Sequence, residues 1–109
     1  MIDDNQYNEV FIKVIAKYGE RHNIMMLIEE MAELTHAILY SLRAPSKEYA
    51  NKKVLDALAD VYICLGTFRF LMQLNTSTNQ LSTEEFDQIL NDTIKNKIER
   101  LKERMEIEQ

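Results

Sequence analysis

Apolar residues recur every three or four positions along most of this chain and almost nowhere in strict alternation, which predicts helices rather than strands. Over residues 4–17, Tyr7, Val10, Phe11, Val14 and Ile15 keep helical spacing. The stretch "YGERHN" interrupts them, with Gly19 placed to close that helix and Asn23 to cap the next. A second helix is expected over 23–43, with Ile24, Leu27, Ile28, Met31, Leu34, Thr35, Ile38 and Leu42 as its stripe and Pro45 as its stop. A third, starting near Ser46 or Asn51 and running to about residue 74, carries Val54, Leu58, Val61, Leu65, Phe68 and Met72. After the polar loop "NTSTNQ", Ser82 and Glu85 form a capping box. It opens a fourth helix, in which Phe86, Ile89, Leu90, Ile94, Ile98, Leu101 and Met105 are expected to face inward. Short connections favour antiparallel neighbours, so the fold expected over 1–109 is one all-α domain, a four-helix antiparallel bundle.

Composition narrows the partners. The chain has 109 residues, 46% hydrophobic and 28% charged, with only two glycines and one proline, a globular balance rich in helix formers. Its formal net charge of −5 argues against a nucleic-acid polymer as partner. An anionic small molecule would need a cation to offset the acid. Cys64 is the lone cysteine, so no intramolecular disulfide forms, and its setting in "VYICLG" predicts a small buried hydrophobe. No apolar run approaches the roughly 20 residues of a membrane span, and the acidic opening "MIDDNQYNEV" is unlike a signal peptide. A cytoplasmic protein with no membrane partner is expected.

The segment "LIEEMAELTHAI" places Glu29, Glu30 and Glu33 among apolar residues. On a helix, Glu30 and Glu33 share a flank at the border of the stripe, with Glu29 further round. The next helix repeats the arrangement in "LDALADVYICLG", where Asp56 and Asp60 stand one turn apart beside the apolar stripe. Packed antiparallel, two such helices bring the acidic flanks together. Carboxylates that close repel strongly unless protonated or bridged by a hard divalent cation, and Mg²⁺ takes oxygen ligands of this kind. The competing reading is two ordinary solvated acidic faces.

At these residues the sequence resembles the MazG-type, all-α nucleoside triphosphate pyrophosphohydrolases, whose signature is EExxE on one helix and an acid-xx-D pattern on the next. The first element stands intact as "EEMAE", Glu29 to Glu33, and Asp60 matches the aspartate of the second. "YGERHNIMMLIEEMAEL" and the late "KIERLKERM" extend the likeness over most of the chain. One position departs: Ala57 stands where the motif has glutamate, and Asp56 is the nearest replacement. The resemblance implies cleavage of a (deoxy)nucleoside triphosphate to its monophosphate and pyrophosphate with Mg²⁺, or Mn²⁺ in its place. Glu30, Glu33, Asp56 and Asp60 would be metal ligands, and Glu29 a ligand or the base that activates water. It also implies a homodimer or tetramer with the site at or near the subunit interface. Two alternatives remain open: a non-catalytic helical interaction module, for which Ala57 argues, and a phosphoribosyl-ATP-type substrate.

Lys97 and Arg100 on the last helix are candidates for substrate phosphates, against a solvated face laced with i,i+4 pairs in "KNKIERLKER". Asn23, beside His22, is a candidate for reading a base or sugar, against its capping role. Glu33 and His36 make an ExxH, but a di-iron bundle needs a second one and His22 has no such partner.

Overall fold

The computed structural model describes residues 6–77 and 82–108, and among these it is all helix, with no strand. The four helices are α1 (Asn8–Tyr18), α2 (Glu20–Arg43), α3 (Lys47–Ser77) and α4 (Thr83–Glu108). The expected start of the first helix, at Asp4 and Asn5, lies outside the described residues, as do residues 78–80 of the expected polar loop. Its first residues, 75–77, belong instead to the end of α3. No helix among the described residues is long and apolar enough to cross a membrane.

The corner between α1 and α2 is tighter than the sequence suggested. Gly19, at φ 87°, takes a backbone conformation that side chains with a Cβ disfavour, and its N–H donates to the Ile15 carbonyl at 2.8 Å. One residue therefore ends α1 and caps α2, which starts at Glu20. Asn23 is consequently not a helix cap. It sits inside α2, 7% exposed, and its side-chain amide donates to the Gly19 carbonyl at 2.6 Å. At the other end of α2, Ala44 is extended (φ −72°, ψ 140°), as the residue before a proline must be.

The chain divides into two compact units, one up to Leu71 and one from Met72. In the first, α2 and α3 run antiparallel. The Lys53 ammonium, early in α3, lies 5.3 Å above the ring of Tyr40, late in α2. The Glu30 carboxylate, midway along α2, feels the charge of Asp60, midway along α3. Burial follows a regular 3-4 repeat on both helices. Asn23, Leu27, Glu30, Leu34, Ala37 and Ser41 are the sheltered line of α2, and Ala50, Val54, Ala57, Val61, Cys64, Phe68 and Leu71 that of α3. α1 closes over α3 through Phe11, packed so tightly on Gly66 that a Cβ there would come within 2.6 Å of the ring.

This corrects the orientation expected for α2. Of its predicted stripe, Leu27 is buried and Ile24 and Leu34 are half-buried. Ile28, Met31, Thr35, Ile38 and Leu42 face out, Leu42 at 76% exposure. The helix is turned so that the flank carrying Glu30 and Ala37 points inward. On α3, Val54, Leu58, Val61 and Phe68 are sheltered as expected, while Leu65 and Met72 are exposed.

The second unit joins the last turns of α3 to α4. Gln73, only 3% exposed, donates its amide to Asp87 Oδ1 at 2.8 Å. Ser82 caps α4 as expected, its Oγ accepting the Glu85 N–H at 3.0 Å. Phe86 and Leu90 are half-buried, but Ile89, Ile94, Ile98, Leu101 and Met105, expected to face inward, are exposed.

Candidate functional site

The turn of α2 matters most at Glu30. Glu30 occupies the sheltered line of its helix, between Leu27 and Leu34, and its Oε2 is shut away from water with no hydrogen-bond partner among the described residues. Burial holds its carboxyl above the ordinary glutamate range, and the charges of Glu33, Asp60 and Glu29 add to the effect, as does a side-chain hydrogen bond with Glu33.

Asp60 comes from the facing helix, with Asp56 one turn before it. At about 100° per residue, Asp60 lies roughly 70° from the centre of α3's sheltered line and Asp56 roughly 110°. The charges that raise Glu30 are those of Glu33, Asp60 and Glu29. Ala57, by contrast, lies on the sheltered line itself. The position at which the resemblance wants a glutamate is therefore on the sheltered line, and Asp56 lies about 100° round the helix from it.

Cys64, one turn beyond Asp60, borders the same cluster. Burial pushes its thiol up, and the charges of Glu30 and Asp60 push it further, so it stays protonated and inert. Its place beside the carboxylates escaped the sequence reading. The signal that was present is the second 3-4 repeat of α2 (Asn23, Leu27, Glu30, Leu34), which shares Leu27 and Leu34 with the stripe first chosen.

The charges of Glu29, Glu33 and Asp60 thus all bear on the half-buried Glu30, three of these four residues coming from α2 and one from α3. The structure does not close them into a cage: among the described residues no three His, Cys, Asp or Glu side chains converge closely enough to hold a metal ion. The donor chemistry nonetheless suits a hard cation, being all carboxylate oxygen with one enclosed oxygen unpaired. The other candidates stand apart from this cluster by role. Asn23 spends its amide on the Gly19 carbonyl. Lys97 and Arg100 are exposed on α4, where the ion pair formed is Lys102 with Glu99, at 3.4 Å and i,i+3 spacing. His22 stacks on Tyr18 with ring centroids 5.0 Å apart, and His36 is exposed.

No protein family, no curated protein and no solved structure is matched by this chain.

Proposed function

We propose that this protein is a small MazG-like bundle that hydrolyses a (deoxy)nucleoside triphosphate to its monophosphate and pyrophosphate in the cytoplasm, with Mg²⁺ or Mn²⁺ as its cofactor. The observation that carries the reading is the half-buried Glu30 carboxylate, with one enclosed oxygen unpaired among the described residues and the charges of Glu33, Asp60 and Glu29 acting on it. Leaving a buried oxygen unpaired among like charges is unfavourable, and such an arrangement persists where a ligand relieves it. Glu30, Glu33 and Asp60 would hold the cation, with Asp56 at the rim. Glu29, exposed on the same helix, would take a proton from water. When bound, the cation would offset the charge of the phosphates and polarise the scissile bond.

A second reading has its own observation. Ala57 occupies an inward position of α3, so the cluster lacks the glutamate that would complete the motif. That favours a helical module that kept the fold without efficient chemistry. One assay separates the two. Pyrophosphate release is measured over a panel of ribo- and deoxynucleoside triphosphates and phosphoribosyl-ATP, with Mg²⁺ or Mn²⁺ and with chelator, alongside calorimetric titration of the cations. Metal-dependent release supports the enzyme. Background rates throughout, with no heat of cation binding, support the module.

A further inference from the structure

The closed end of the α2–α3 hairpin differs in charge from its middle. Residues 40–55 carry Arg43, Lys47, Lys52 and Lys53 against Glu48 alone, a local charge of +3 in a chain of −5. Lys47 donates to the Ser41 carbonyl at 2.5 Å. Lys53 is held differently. Its ammonium lies 5.3 Å from the centre of the Tyr40 ring, on the facing helix, and 5.4 Å from that of Tyr49, one turn before it. No carboxylate pairs with it among the described residues. Aromatic faces offset part of its charge but accept no conventional hydrogen bond, so its N–H donors stay open to an oxygen ligand.

At about 100° per residue, Lys53 and Tyr49 lie roughly 50° and 90° from the centre of α3's sheltered line, and Tyr40 roughly 100° from that of α2. All three are turned in the same sense as Glu29, Glu33, Asp56 and Asp60. Because the two helices run in opposite directions, turns of one sense bring residues to one side of the hairpin. The contact of Lys53 with Tyr40 agrees with that placement. The side that carries the carboxylates therefore also carries a lysine clasped by two tyrosines, two turns or about 10 Å along α3 from Asp60.

We propose that Tyr40, Tyr49 and Lys53 form a subsite for the terminal phosphoryl groups of a polyphosphate, with Lys53 as the anion's ligand and the two rings holding its ammonium in place. Charge selects this ligand. A cation-bridged polyphosphate presents a positive ion and free anionic oxygens side by side, and the hairpin presents carboxylates and an ammonium in matching order. Lysine acts as a point charge, which suits a phosphoryl group offering oxygens in several directions. Ordering a lysine side chain on binding costs entropy, and the rings have already restricted this one before a ligand arrives. The direction of a nucleotide, its terminal phosphate toward the closed end and its nucleoside toward the α1–α2 corner, rests on the proposed hydrolysis. The anion subsite itself does not. It assigns to the first unit a phosphate contact that the sequence placed on the last helix, at Lys97 and Arg100.

Calorimetric titration of the full chain with inorganic tripolyphosphate, in excess Mg²⁺, tests it. The wild type should bind, and Lys53→Met should weaken binding at least about tenfold with helical circular dichroism unchanged. Lys95→Met removes an equal charge from an exposed position on α4 and should leave the affinity as it was. Tyr49 is 54% exposed, so its replacement spares the fold. Tyr49→Leu should weaken binding several-fold, and Tyr49→Phe, which keeps the ring and loses the hydroxyl, should restore it. A wild type that does not bind tripolyphosphate overturns the inference. So do Lys53→Met and Lys95→Met weakening binding alike, the mark of general attraction. Equal affinities for Tyr49→Leu and Tyr49→Phe overturn the part given to the rings. Tripolyphosphate carries no nucleoside and the readout is binding, so a failed subsite and a failed hydrolase are separate results: nucleotide turnover without tripolyphosphate binding overturns the subsite alone.

Discussion

A carboxylate with one oxygen shut from water and three acidic neighbours keeps its proton longer than an exposed one, and this sets how Glu30 responds to pH. Its folded-state value is raised above the unfolded one, so the folded chain binds more protons across the interval between them. The associated stability is fully present below the ordinary glutamate range and is lost as pH rises through the raised value. In chelator, the thermal midpoint of the wild type should therefore fall more steeply with rising pH over that interval than the midpoint of Glu30→Gln. Parallel curves from melts at matched ionic strength would show that Glu30 titrates as a surface acid. A bound cation favours the ionised form, so adding Mg²⁺ should shrink the difference in slope. Glu33 is tested by activity instead. Glu33→Gln keeps the size of the side chain and removes its charge, so pyrophosphate release should drop to background while the helical spectrum stays unchanged. Loss of the helical spectrum would assign Glu33 to the fold.

At the scale of the element, boundaries were legible and orientation was not. Gly19, Pro45 and the Ser82–Glu85 pair are local devices: each acts through its own backbone geometry, so each can be read without knowing what lies nearby. Two boundaries were missed: α3 runs on to Ser77, into the expected polar loop, and α2 starts before Asn23, which has the chemistry of a cap but spends it from within the helix. Which face of α2 meets α3 is a different kind of fact. Ile24, Leu27, Ile28, Met31, Leu34 and Ile38 cover more than a third of the helix surface, so two adjacent 3-4 repeats compete, and the choice is made by the partner helix. The repeat that won includes Glu30 and Asn23, polar residues a hydrophobic count passes over. Gly66 shows the same dependence on a distant partner. Alanine there gains helix propensity of about 0.5–1 kcal/mol but sets a methyl group 2.6 Å from the buried Phe11 ring. Overpacking of that kind costs about 1–3 kcal/mol. Gly66→Ala should thus destabilise the wild type by about 1 kcal/mol and stabilise a Phe11→Ala background, a reversal of sign that a double-mutant cycle by urea denaturation measures. The same sign in both backgrounds would mean the ring does not press on Gly66.

For the whole molecule, the acidic residues that α2 and α3 carry around Glu30 make ions of different charge unequal in their effect. A chain of net charge −5 is stabilised by any salt through general screening, and that effect is much the same for sodium and magnesium at equal ionic strength. If the proposed cation site forms from Glu30, Glu33 and Asp60, a divalent ion adds a specific term, because it would relieve the repulsion around Glu30 and pair its enclosed oxygen. At a free concentration a hundredfold above its dissociation constant, a ligand that binds only the folded state stabilises it by about 2.7 kcal/mol. For a domain of this size that amounts to a rise of roughly 10 °C in Tm. MgCl₂ and NaCl matched for ionic strength should therefore differ by several degrees for the wild type and by almost nothing for Asp60→Asn. Asp60 is the informative choice because it is the one acid of the cluster supplied by α3. Losing the magnesium increment by neutralising it would mean that both helices contribute to one binding place. If the increment survives, the cation is held by the α2 glutamates alone, and the convergence of the two helices has no part in binding it.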